Sequence, residues 1–158
     1  MVSAPLPSAR SEADSKARLR LWIRLLRAAR LVEGELRERL KSQFNVTLPR
    51  FDVMAALYRH PEGMLMSEIS RFLMVSNGNV TGIADRLVKD GLVVRSQRDG
   101  DRRTSFLRLT GKGRTAFAAM AAAHESWIDE LLGELSPRDA VHLSGKLKLF
   151  RSNWERQT

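Results

Sequence analysis

Apolar residues in the first third of the chain recur every three or four positions. From about Asp14 to Gln43 they are Leu19, Trp22, Ile23, Leu26, Ala29, Leu36 and Leu40, with charges between them, which is the period of one helical face. So long a helix exceeds the usual three turns of a globular domain. Its apolar stripe needs a cover from outside the local fold, and a partner subunit is the natural one. Thr47 ahead of Leu48-Pro49 marks the next helix start, with a hydroxyl for capping and a proline in the first turn. That helix carries Phe51, Met54, Ala55, Leu57 and Tyr58 and stops near His60-Pro61, because proline disfavours helix before it. Met64-Leu65-Met66 reads as a short extended link. Ser67 is placed to cap a short helix with Ile69, Phe72 and Leu73. Ser76 is placed to cap another, with Val80, Ile83, Ala84, Leu87 and Val88 on one face and Gly91 at its end.

The period then shortens to two. Residues 92–96 and 104–109 read as strands, joined by a polar tip, 97–103, that holds the turn signal Asp99-Gly100. Thr110 caps a long helix whose apolar side is Phe117, Met120, His124, Trp127, Ile128, Leu131 and Leu135. Ser136-Pro137-Arg138-Asp139 starts a last helix: a cap, a proline, then an acid at the third position. Along it Ala140, Leu143, Leu147, Phe150 and Trp154 alternate at three and four, as in a coiled-coil seam. The expected fold is mainly α with a small β-hairpin. Residues 47–109 form a winged helix-turn-helix, flanked by long dimerisation helices over 14–46 and 110–158. A disordered arm, rich in Pro and Ser, covers 1–13.

Charge narrows the partner. Twenty-seven Lys and Arg against 18 Asp and Glu give +9, a field that attracts polyanions. Residues 1–50 carry +6 and 51–114 carry +4, whereas 115–158 carry −1. The last third therefore serves another purpose than holding a polyanion. The chain has no cysteine, which excludes disulfides, thiolate metal sites and cysteine nucleophiles. No apolar run suits a secretory signal or a membrane span, so a soluble cytoplasmic protein is expected, with no membrane partner. His60, His124 and His142 are scattered, and His124-Glu125 lacks the later histidine of a zinc-protease motif, since Ile128 stands there. No nucleophile, base and acid set stands out, so an enzyme, a metal and a cofactor are not expected.

In helix-turn-helix proteins the second helix enters the major groove with its first residues facing the bases. Here that end reads Ser76-Asn77-Gly78-Asn79-Val80-Thr81. Asn bonds adenine through two hydrogen bonds, Thr touches a thymine methyl, and Gly78 permits close approach. The hairpin tip adds Arg98, Arg102 and Arg103 for the DNA backbone or a minor groove. The run from Leu48 to Gly113 resembles the MarR family of transcription regulators. The resemblance is carried by DRLVKDGLV (Asp85 to Val93), DRR (Asp101, Arg102, Arg103) and Leu109, Thr110 and Gly113 after it. It implies that Asn77, Asn79 and Thr81 face bases, that Arg86 grips phosphate, and that Asp101 braces a wing arginine. It also implies that the first and last helices form a homodimer on a pseudo-palindromic double-stranded operator. The candidate DNA set is thus Ser76, Asn77, Asn79, Val80, Thr81, Arg86, Arg98, Asp101, Arg102 and Arg103.

Two further stretches, PEGMLMSEISRFLMVSNGNVTG and AAHESWIDELL, are similar to regulators of aromatic-acid catabolism. That similarity implies a repressor released by a small effector such as an aromatic acyl-CoA thioester. Such a ligand needs an apolar slot and cations for its phosphates. Trp22, Leu26, Phe51, Met54, Met120, His124 and Trp127 are candidates for the slot, and Arg20, Arg24, Arg27 and Arg30 for the cations. The plainer readings stay open: the Met and aromatic residues as core, and the arginine stripe as a solvated face. So does a winged helix that docks a protein instead of DNA.

Overall fold

The computed structural model describes residues 12–97 and 104–155, except the side chains of Asn77 and of 151–155. The elements run α1 (Glu12–Phe44), α2 (Leu48–Tyr58), β1 (Met64–Leu65), α3 (Met66–Leu73), α4 (Asn77–Lys89), β2 (Val93–Gln97), β3 (Ser105–Leu109), α5 (Gly111–Leu131) and α6 (Pro137–Glu155). This is the mainly helical winged fold expected, with one addition. The wing is a three-stranded antiparallel sheet in the order β1-β3-β2, not a bare hairpin. Met64 and Leu65, read as a link, pair with Leu107 and Phe106. The turn before them requires Gly63, which sits at φ +98 with its α-carbon against the Phe106 ring and the Leu107 carbonyl.

The helix starts were partly as expected. Ser76 accepts the Asn79 N–H at 3.4 Å and Thr110 accepts the Gly113 N–H at 2.9 Å. Ser136 accepts the Asp139 N–H at 3.1 Å while its hydroxyl donates to the Asp139 carboxylate at 2.7 Å. Two caps differ. Thr47 precedes α2, yet its side chain makes no capping bond. Ser67 lies inside α3, whose first turn begins one residue earlier; there the Leu65 N–H donates to Glu68 at 2.8 Å. Glu68, three residues on, takes the free donor that Ser67 was expected to serve.

One core joins the second half of α1 to the winged domain. Leu36 and Leu40 of α1, Phe51, Met54 and Leu57 of α2, Ile69 of α3, and Val80, Ala84 and Leu87 of α4 are buried together with Leu107, Leu109, Phe117, Met120 and Trp127. Aromatic contacts align α5 with its neighbours. Phe51 lies 5.3 Å from Phe117 and stacks on His124 at 4.7 Å, while Phe44 meets Trp127 at 6.2 Å. On the outside, Arg39 of α1 forks onto Glu130 of α5 with bonds of 2.8 and 3.0 Å. That pairing raises the Arg39 pKa and lowers that of Glu130. The ends of the fold contrast with this core. Val32 is the first residue of α1 packed against it, and every residue from Leu132 to Phe150 is exposed.

Candidate nucleic-acid interface

The first turns of α4 are presented by a short, well-determined approach. Met74 closes α3 in the left-handed conformation, and the Val75 N–H returns to the Ser70 carbonyl at 3.1 Å. The chain then turns outward into the Ser76 cap. Val80, Ala84 and Leu87 repeat at four and three and bury one face of α4. The other face therefore points out: Gly78, Asn79, Thr81, Gly82, Asp85 and Arg86 are all exposed.

This geometry corrects one member of the DNA set. Val80 is fully buried in the core stripe, so no base edge reaches it. Ser76, Asn79 and Thr81 are exposed on the first turns of α4 as expected. Asn77 opens the helix, with its side chain outside the description. Arg86 is exposed and 3.5 Å from Asp90 one turn on, a weak surface pair that phosphate readily displaces. Arg98, Asp101, Arg102 and Arg103 lie outside the described residues.

The sheet and α4 are held in register by contacts that sequence reasoning missed. Arg95 on β2 donates to Asp85 on α4 at 2.8 Å, tying wing to helix. At the base of the wing, Thr110 does two jobs: besides its cap, its hydroxyl donates to the Gly91 carbonyl at 2.8 Å. The Thr110 N–H reaches the Leu92 carbonyl at 3.0 Å and Lys112 Nζ the Asp90 carbonyl at 3.0 Å. Gly113 lies directly under the Leu92 carbonyl, where a Cβ does not fit. The end of α4, the entry of the wing and the start of α5 thus meet in one junction.

The effector candidates divide into two groups. Phe51, Met54, Met120, His124 and Trp127 do meet, between α2 and α5, but Met54 and Met120 are enclosed core. Burial lowers the His124 pKa in that seam, and burial followed by Glu33 raises that of Asp52 on α2. Trp22, Arg24, Leu26, Arg27 and Arg30 lie apart, on the half of α1 that precedes its first core contact. Trp22 is 57% exposed. A different hollow, of about 790 Å³ and open to solvent, runs between the end of α1, the start of α2 and α4. Its cations are Arg37, Lys41 and Arg50, facing Gly78, Asn79 and Gly82. Among the described residues no helix is long and apolar enough to cross a membrane.

Comparison with known proteins agrees with this architecture. The model of the MarR family matches residues 46–105. The chain is 30% identical over 149 residues to the transcriptional activatory protein BadR of Rhodopseudomonas palustris, covering 91% of this chain and 85% of that one. A crystal structure of a MarR family regulator from Silicibacter pomeroyi superposes with TM-score 0.75 at 35% identity, over 92% of this chain and 99% of that one. Sco3205 of Streptomyces coelicolor, a MarR family regulator solved in complex with DNA, shares the fold, with TM-score 0.77 at 18% identity over 95% and 92% of the two chains.

Proposed function

Because the chain belongs to the MarR family of transcription regulators, we propose that it works as a homodimer that reads a pseudo-palindromic operator and releases it on binding a small effector. It is a DNA-binding regulator and not an enzyme. Residues 47–109 are the reading head, and residues near 14–46 and 110–158 interleave with a second copy as its base. The observation that carries this reading is the exposed first face of α4, capped by Ser76 and carrying Asn79 and Thr81, with the wing bound to it through Arg95. Two such heads related by a two-fold axis fit half-sites about one helical turn apart, roughly 34–36 Å.

The apolar faces left bare on α1 and α6 support the dimer. Leu19, Leu21, Trp22 and Leu31 on α1, and Val141, Leu147, Leu149 and Phe150 on α6, are each at least half exposed in the single chain. Each such side chain contributes about 1.5–3 kcal/mol when a partner covers it. In that dimer the stripe Arg20, Arg24, Arg27 and Arg30 serves an anionic effector such as an aromatic acyl-CoA thioester. The effector shifts the heads to a spacing that no longer matches the operator, through unequal affinity for the two arrangements. Relief of repression is the expected sign. BadR is named an activator, so the sign is read separately, from transcription with and without effector.

The test is fluorescence anisotropy with DNA from upstream of the protein's own gene, against excess unrelated duplex. Competitor-resistant binding by a dimer, lost with one aromatic acyl-CoA thioester, is the expected outcome. Failure of both that fragment and a genome-wide fragment selection overturns specific DNA reading and leaves a winged helix that docks a protein.

A further inference from the structure

The hollow between α1, α2 and α4 is lined by cations that belong to neither the recognition helix nor the wing. We propose that it is a seat for the DNA sugar-phosphate backbone, which makes the end of α1 and the start of α2 a third DNA-contact element. The proposal rests on the DNA-binding reading above and extends it to Arg37 and Lys41, which precede the matched residues 46–105.

Charge favours this occupant. Arg37, Lys41 and Arg50 face one acid, Glu38, in the lining. Lys41 Nζ spends one of its three donors on Asn45 Oδ1 at 2.8 Å and keeps two. An arginine fork matches two phosphate oxygens at once. Continuity favours it as well. The opposite wall is Gly78, Asn79 and Gly82, part of the same exposed face with which α4 meets the bases. A Cβ at Gly78 or Gly82 would touch nothing within 4 Å, so this wall is low and open to a close backbone approach. A duplex seated on α4 therefore carries its strand over this rim toward the three cations. The seat also spans a seam. Arg37 and Lys41 belong to the base helix and Arg50 to the head, so one phosphate strand bound across them fixes the angle between base and head.

Salt titration of DNA affinity tests it, because each phosphate contact adds about 0.9 to the slope of log K against log salt. Arg37→Gln and Arg50→Gln are compared with wild type on the upstream fragment and on an unrelated duplex. Lys146→Gln on α6 is the charge-matched control, and circular dichroism confirms the fold of each variant. Each groove variant is expected to lower the slope by about 0.9 and the affinity about fivefold at 0.15 M salt, equally on both DNAs. Arg50→Lys restores much of the slope, and Lys146→Gln leaves it unchanged. Slopes unchanged in folded Arg37→Gln and Arg50→Gln overturn the seat. So does displacement of DNA from wild type by sodium benzoate at constant ionic strength, if Arg50→Gln abolishes that displacement without altering the slope; the groove then takes a small anion. If the slopes fall but wild type does not prefer the upstream fragment or any selected fragment, the seat stands and sequence-specific reading fails.

Discussion

The reading head and the base handle their apolar residues in opposite ways. In the head, Val53, Met54, Leu57, Ile69, Val80 and Leu107 are all at 0% exposure, each closed in by elements of the same chain. In α6, Val141, Leu149 and Phe150 stand at 74, 63 and 67% although the helix is capped and begins well. Helix formation and helix burial are thus separate events in this protein. Local signals such as Ser136-Pro137 and Asp139 specify the helix, and only another surface satisfies its apolar face. The head is built to keep its shape alone, whereas the base becomes complete by association.

The strongest way to break that contrast is to charge the bare face. Leu143→Glu with Leu147→Glu should leave the head folded by circular dichroism and convert the dimer to monomer in light scattering. Loss of joint binding by two heads should then weaken operator affinity by about 100-fold or more. The same double change made at buried head positions would unfold the chain, which is the asymmetry under test. Next in size is Gly113→Ala, which places a methyl against the Leu92 carbonyl. It should cost about 1–3 kcal/mol in chemical denaturation without changing subunit number. Asn79→Ala should leave stability unchanged, because the Ser76 cap uses the Asn79 backbone N–H. It should cost about 1–3 kcal/mol of operator discrimination, seen in competition anisotropy.

The smallest effect is a pH dependence inside the head. Burial against Phe51 lowers the His124 pKa from 6.5. As pH falls through 6.5, the unfolded chain takes a proton that the folded chain resists, and stability declines until the lowered folded value is passed. The His124→Gln variant should lose that decline in urea titrations run at several pH values, while its stability at high pH stays near its own plateau.

Much of this was legible because the signals were local. Ser76, Thr110 and Ser136 each announce a helix three residues ahead, and the change from period four to period two locates the wing. What escaped the sequence depended on partners far along the chain. Two residues cannot display an alternation, so Met64-Leu65 became a strand only through Leu107 and Phe106. Val80 carries both the pattern of the core stripe and the position of a reading residue, and burial settles it as core. Arg37, Lys41 and Arg50 look like ordinary surface charges in sequence; their convergence needs α1, α2 and α4 packed together. The proposed effector set mixes residues of an enclosed core with residues of a bare helix, since a common apolar period does not distinguish the two.

The junction at Thr110 has a consequence for how operator geometry is encoded. Since Thr110 and Lys112 grip the carbonyls that end α4, the head is keyed to the first turn of α5 like a bit to a shaft. Each residue along an α-helix turns about 100° and advances about 1.5 Å. Adding one residue to the middle of α5 would therefore swing the head through most of a right angle relative to the base, with every DNA-facing side chain intact. The phase between two half-sites is in this sense written in the residue count of one helix, and the length of α5 sets which operators the dimer can address.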